Sequence, residues 1–287
     1  MQATRLSLGD RTFDITDRAV VMGILNRTPD SFYDKGATFA LADLVDRAAR
    51  LVEDGADLLD VGGVKAGPGP AVDEAEELDR VIPAIEALRA RFDLPLSVDT
   101  WRATVAKEAF AVGAVVGNDI SGFADPDYLT VAAAAGATVV ATHIRLGPRI
   151  PDPDPVYDDV AVAVRDFLVE RAAWARAAGL PPERIVLDAG LDLGKTAAQS
   201  LTLLRTSEQL AVLGHPLLLS ASNKTFLGVV LGLELGQRRD ASLAATALGA
   251  AKGCRIMRVH DVAAHRQVCD TVAAVLAARR RSAPEPR

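Results

Sequence analysis

Ala-Val-Val-Met-Gly-Ile-Leu-Asn-Arg-Thr-Pro-Asp-Ser-Phe-Tyr-Asp, residues 19–34, is the stretch around which the chain is organised. Val20 to Leu25 is a short apolar run, the pattern of a strand of a parallel sheet covered on both faces. It stops abruptly at Asn26, Arg27, Thr28, Pro29, Asp30 and Ser31. Pro29 removes a donor from that loop, and the amide, carboxylate and hydroxyl groups around it can bind backbone or a ligand. The tip of this strand is therefore a site candidate.

The same alternation recurs along the chain. Apolar runs at 20–25, 58–61, 96–98, 114–116, 138–141, 185–187, 217–219 and 256–259 are separated by amphipathic segments. The segments at 41–53, 72–91, 103–111, 126–135, 160–178, 197–213, 225–251 (broken near Gly236) and 263–278 read as helices. Eight strand and helix pairs in 287 residues predict an α/β fold, a single (β/α)8 TIM barrel over residues 1–278 with a frayed tail at 279–287.

Composition limits the function classes. A net charge of −6 argues against a nucleic-acid surface, and the longest uncharged run, Tyr128 to Ile144, is too short to span a membrane. Cys254 and Cys269 are too few for a disulfide framework, and residues 1–10 lack the apolar core of a signal peptide, so the expectation is a cytoplasmic protein.

Polar residues follow every strand. They are Asn26, Asp60 with the 62–69 loop, Asp99, Asn118 with Asp119, His143 with Arg145, Asp188, Ser220 to Lys224, and Arg258 with His260. A barrel gathers these strand ends on its C-terminal rim, where such folds carry their sites. Asp99, Asn118 and Asp188 suit the edge of a flat, nitrogen-rich heterocycle that carries several N–H donors. Arg258 and His260, two apart on a strand, leave the same face and could clamp a phosphate together with Lys224. Lys195 follows Gly190 and Gly194 but not at P-loop spacing, and reads as a solvated side chain.

Five motifs give the sequence a resemblance to the dihydropteroate synthase family. They are Gly-Ile-Leu-Asn-Arg-Thr-Pro-Asp-Ser-Phe (23–32), Ser-Val-Asp-Thr (97–100), Asn-Asp-Ile-Ser-Gly (118–122), Ser-Asn-Lys-Thr-Phe-Leu-Gly (222–228) and Arg-Val-His-Asp-Val (258–262). The resemblance implies a homodimeric transferase that joins a dihydropterin methyl diphosphate to the amine of p-aminobenzoate and releases pyrophosphate, with Mg2+ as cofactor. It implies a pterin pocket of Asp99, Asn118, Asp188 and Lys224. Asn26, Arg258 and His260 would bind the diphosphate, with Asn26 also on the metal. Asp99, Lys224, Arg258 and His260 would carry catalysis, and Phe32, Lys65, Pro68 and Thr225 would lie on the acceptor side. On local grounds, too, Thr225 at a helix start offers an anchor for a carboxylate.

The loop after the second strand departs from the family pattern. Where the family reads Gly-Gly-Glu-Ser-Thr-Arg-Pro-Gly, residues 62–69 read Gly-Gly-Val-Lys-Ala-Gly-Pro-Gly, so Ala66 and Gly67 replace the Thr and Arg that help hold aminobenzoate and diphosphate. Losing a charge-assisted contact of that kind costs about 1.5–3 kcal/mol unless Lys65 reaches in. The loop resembles that of divergent second-copy members of the family. A catalytically silent pterin-binding protein and a corrinoid-linked methyltransferase are the alternative readings.

Overall fold

The computed structural model describes residues 2–28, 40–67 and 69–281, with side chains as far as Ala278. Strands β1 (Arg5–Leu8) and β2 (Arg11–Asp14) form an antiparallel hairpin, and β3 (Val20–Asn26) opens the barrel. There follow α1 (Leu41–Glu53), β4 (Leu58–Gly62), α2 (Glu74–Arg91), β5 (Leu96–Asp99), α3 (Ala103–Ala111), β6 (Val116–Asp119), α4 (Tyr128–Ala134) and β7 (Thr138–Thr142). The second half runs α5 (Val160–Ala177), β8 (Ile185–Asp188), α6 (Ala197–Arg205), α7 (Ser207–Ala211), β9 (Leu217–Leu219), α8 (Thr225–Leu231), α9 (Arg239–Ala251), β10 (Ile256–Val259) and α10 (Val262–Arg281). Strands β3 to β10 close in sequence order into a parallel barrel, β10 pairing with β3.

Alternation along the strands sorts the side chains into two cores. Residues such as Val21, Leu59, Val98, Val139, Leu187 and Met257 face outward and pack under the helices. Val20, Met22, Leu58, Val116, Val140, Val186, Leu218 and Ile256 face inward and form one apolar layer near the N-terminal end. The hairpin closes that end, since Leu6, Leu8 and Ile15 belong to the same inner cluster. Two residues further along five of the strands the lumen turns polar: Leu58 is followed by Asp60, Val116 by Asn118, Val140 by Thr142, Val186 by Asp188 and Ile256 by Arg258. Period-two geometry thus stacks a polar layer on an apolar floor.

The expected elements differ from the observed ones in a few places. The hairpin was not foreseen. The fourth barrel strand lies at Val116–Asp119 rather than 114–116, because Asn118 and Asp119 keep pairing with Val140 and Ala141. The predicted helix over 197–213 is divided at Thr206, and the one over 225–251 at the Gly232–Arg238 connection, where Gly232 takes φ 65°. Helix α10 continues through Arg281, into the segment expected to fray. Among the described residues no helix is long and apolar enough to cross a membrane.

Candidate active site

The strand register sets the site. Asn26 pairs with Gly62, Gly62 with Asp99 and Asp99 with Asn118, so four neighbouring strands place these residues on one rung at the barrel mouth. Thr142 pairs with Asp188 on the opposite side. A cavity at this level is lined by Asp99, Asn118, Thr142, Asp188, Lys224 and Arg258 among others, with Ala66 and Leu193 at its outer edge. The fold therefore brings together Asp99, Asn118, Asp188, Lys224 and Arg258, with Asn26 beside Asp99 on the same rung.

At its centre lies an ion-pair network that sequence reasoning did not assemble. Arg258 Nε donates to Asp60 Oδ2 at 2.6 Å, and its Nη2 donates to Asp99 Oδ2 at 2.6 Å. Asn118 Nδ2 also donates to Asp60 Oδ2, at 3.2 Å. Burial alone would lower the Arg258 pKa; the Asp60 and Asp99 carboxylates outweigh it and raise the value. Burial pushes Asp99 up to about 7 against the pull of Arg258, and burial likewise raises Asp188, against the Gly190 N–H and the Lys224 charge. Several buried oxygens here, Asp60 Oδ1, Ser97 Oγ and Thr142 Oγ1, have no partner among the described residues. Of these, Thr142 lines the cavity with the Asp99 and Asp188 carboxylates, whose oxygens can accept hydrogen bonds.

His260 is held differently from the expected second cation. Its backbone N–H donates to Ser222 Oγ at 3.3 Å, and the same hydroxyl lies 3.0 Å from Nδ1. The Ser222 hydroxyl thus holds both the backbone and the ring of His260. Burial, reinforced by the Arg258 charge, drives His260 down to about 3. Near neutral pH Arg258 is thus engaged by carboxylates and His260 is uncharged, so the two do not present a pair of cations.

Other strand-end residues leave the mouth altogether. Asp119 follows Asn118 and so points outward, where it accepts from the backbone N–H groups of Ser121 at 2.6 Å and Phe123 at 2.9 Å. His143 sits edge-on to Phe167 with ring centroids 4.9 Å apart, and Arg145 pairs with Asp152. Lys195, expected in solvent, is buried. Its ammonium donates to the carbonyls of Gly190 at 2.9 Å, Leu193 at 2.9 Å and His143 at 3.2 Å, and it lies 2.9 Å from His143 Nδ1. Burial lowers Lys195 to about 7, opposed chiefly by the Asp188 charge. Only tertiary contact between the loops after β7 and β8 creates that nest of carbonyls, which is why a glycine-lysine pair gave no sign of it. Gly190 allows the approach: it takes φ 64°, and a Cβ there would lie 2.0 Å from the His143 carbonyl oxygen.

The side expected to take the acceptor is built from the loops after β4, β7 and β8. The Lys65 carbonyl accepts from Arg149 Nη1 at 3.0 Å, the Pro70 carbonyl accepts from Nη2 of the same side chain, and the Ala66 carbonyl accepts from the Arg149 backbone N–H at 3.2 Å. A Cβ added at Gly67 would meet nothing within 4 Å, so the space beside that residue is open. Thr225 is exposed at the start of α8, and its backbone N–H donates to Asp192. Phe32 and Pro68 lie outside the described residues.

A parallel eightfold barrel with an apolar floor and polar groups gathered around one buried arginine at its C-terminal mouth has the architecture of a barrel enzyme, whose sites lie at that face. Residues 22–260 match the model of the pterin binding enzyme family, and the chain belongs to that family. The "Inactive dihydropteroate synthase 2" of Mycobacterium tuberculosis (strain ATCC 25618 / H37Rv) is 47% identical over 267 residues, covering 90% of this chain and 83% of that protein. The crystal structure of Yersinia pestis dihydropteroate synthase with a sulfonamide drug complex is 38% identical, covers 96% of this chain and 99% of that one, and superposes with a TM-score of 0.91. Xanthomonas albilineans dihydropteroate synthase with 4-aminobenzoic acid is 40% identical, covers 98% and 100% of the two chains, and has a TM-score of 0.86.

Proposed function

We propose that this chain binds a dihydropterin methyl diphosphate at the barrel mouth and transfers the pterin methyl group to an amine with release of pyrophosphate. The observation that carries the reading is the joint placement of Asp99, Asn118, Asp188 and Lys224 around Arg258 in one cavity. Asp188 and Asn118 offer acceptors and an amide to the ring edge, and the buried carboxylates stabilise an electron-poor pterin as its methylene carbon loses the leaving oxygen. The C–O electron pair departs with the diphosphate, the amine lone pair forms the new C–N bond, and the amine proton leaves to solvent or to the released pyrophosphate. Release of Arg258 from Asp60 or Asp99 would turn its guanidinium toward the diphosphate, beside the His260 imidazole.

Magnesium is part of the proposal. Asn26 would offer an amide oxygen at the mouth, and Gly62 keeps its surroundings clear, since a Cβ there would come within 3.3 Å of Asn26 Oδ1. Among the described residues no cluster of three or more His, Cys, Asp or Glu could hold a metal, so most ligands would come from the diphosphate and water, as suits Mg2+. Bound there, the ion would supply charge neutralisation on the leaving group.

A pterin binder without aminobenzoate turnover is the second reading, favoured by Ala66 and the open space at Gly67 and in keeping with the name of the Mycobacterium tuberculosis relative. The corrinoid-linked alternative has no use for the Lys224, Arg258 and His260 group, because a methyl donor of that kind releases no diphosphate. Assembly would be a homodimer through the outer helices, where Val229, Val230 and Leu231 on α8, Leu248 on α9 and Val275 on α10 expose apolar side chains. Two buried free cysteines suit a reducing cytoplasm. Steady-state turnover of the dihydropterin diphosphate with p-aminobenzoate separates the readings: dihydropteroate formation supports the synthase, and pterin binding without turnover supports the silent or specialised protein.

A further inference from the structure

The loop after β4 is held from outside. Gly62, Gly63, Ala66, Gly67 and Gly69 carry no side chain that could anchor it. Its carbonyls are taken by arginines of neighbouring elements instead. Gly63 accepts from Arg80 Nη1 on α2 at 2.9 Å, and Val72 accepts from Arg102 Nη2, just ahead of α3, at 2.8 Å. Between these two, Arg149 reaches over from the loop after β7. Its Nη1 donates to the Lys65 carbonyl at 3.0 Å, its Nη2 to the Pro70 carbonyl, and its backbone N–H to the Ala66 carbonyl at 3.2 Å. One residue thus grips the loop on both sides of Gly67.

Arg149 is itself built into place. Its backbone is left-handed, φ 64°, a conformation that side-chain-bearing residues avoid unless their surroundings hold them there. Pro148, Pro151, Pro153 and Pro155 restrict the segment that carries it. The far end of that segment is tied to the β8 side, where Tyr157 Oη donates to the Gly194 carbonyl at 2.8 Å and Gln199 Nε2 to the Pro155 carbonyl at 3.0 Å. The grip therefore links the loop after β8 to the loop after β4. Ala66, which it holds, lines both the cavity at the barrel mouth and a second cavity of about 290 Å3 that Arg149 also lines. Loosening Arg149 would move the wall that Ala66 forms between the two.

We propose that Arg149 is a positioning residue that keeps Ala66 and the loop after β4 closed against the barrel mouth, and so sets how long a bound pterin stays. This rests on the pterin-transfer reading above. Arg149→Gly suits the left-handed backbone and keeps the N–H for Ala66, so it removes the guanidinium alone. Arg149→Lys keeps a cation that can reach one of the two side-chain partners. Tryptic cleavage of the folded, ligand-free chain after Lys65, followed by mass spectrometry, reads the loop, since Nη1 holds the carbonyl of that bond. Cleavage there should be roughly tenfold faster in Arg149→Gly and intermediate in Arg149→Lys, with other sites and the thermal midpoint as in wild type. Dissociation of the dihydropterin diphosphate, followed by stopped flow, should quicken by a similar factor in the same order, with association no slower. Unchanged cleavage after Lys65, faster cleavage with unchanged dissociation, or a chain-wide loss of stability that accounts for both overturns the proposal. A wild type that binds no pterin overturns the transfer reading, and the cleavage comparison still decides whether Arg149 closes the loop.

Discussion

Asp60 and Arg258 meet at the centre of the barrel, with Nε 2.6 Å from Oδ2, while the other carboxylate oxygen of Asp60 is buried without a partner among the described residues. Asp60 is fully buried, and it receives Asn118 Nδ2 on the same oxygen. This carboxylate orients both the arginine and the amide that face the ligand cavity. Asp60→Asn should destabilise the fold by about 3 kcal/mol, the cost of breaking a buried ion pair from one side. Denaturant unfolding of the purified variant measures it, and a change within error of zero would show that Asp99 alone suffices to hold Arg258.

Asp99 should give pterin binding a pH dependence. Burial lifts its pKa from 3.8 to about 7, so the ligand-free carboxyl is neutral below that value and charged above it. A ring that donates N–H groups prefers the charged form. Affinity should therefore climb from pH 5.5 to about 7 and level off beyond, by up to roughly tenfold per unit on the acid side. In the ligand-free protein the sign is opposite: the raised pKa contributes stability below 3.8 that is lost as pH rises through 7. Asp99→Asn should flatten the binding profile, and an unchanged profile in that variant would assign the titration elsewhere.

Lys195→Met should loosen the pocket wall. The ammonium holds the carbonyls of His143, Gly190 and Leu193, and Gly190 and Leu193 line the cavity at the barrel mouth. Leaving a buried acceptor unpaired costs about 1–3 kcal/mol, so thermal unfolding should move down by about 3 kcal/mol or more. Gly190→Ala tests the same junction sterically. Its Cβ would overlap the His143 carbonyl at 2.0 Å in a left-handed conformation, and a loss of at least about 3 kcal/mol is expected.

The barrel was legible because its signal is local. Apolar runs such as Val20–Leu25 and Ile256–Val259 repeat with helical segments between them, and short strands buried on both faces need that composition. What lay hidden depends on which way a side chain points once the strands are paired. Asn118 and Asp119 are neighbours in sequence, yet one faces the lumen and the other caps the Ser121–Phe123 turn. Counting in twos from the apolar floor, Val116 to Asn118 or Leu58 to Asp60, would have made that division and turned Asp60, named only as one strand-end residue among many, toward Asn118 in the lumen. The hairpin had a signal too, in Leu6 and Leu8 before the Gly9-Asp10 turn. The burial of Lys195 and the reach of Asp192 to α8 had none, because both are contacts between loops far apart in sequence.

The most direct measurement is calorimetric titration of the wild-type chain and of Asp188→Ala with the dihydropterin diphosphate in the presence of Mg2+. Asp188 is buried and lines the cavity together with Lys224 and Arg258. The account predicts saturable binding to the wild type and a loss of roughly one to two orders of magnitude in Asp188→Ala, as donor hydrogens of the ring lose their acceptor. No binding to the wild type, or equal affinity in the folded variant, would contradict it.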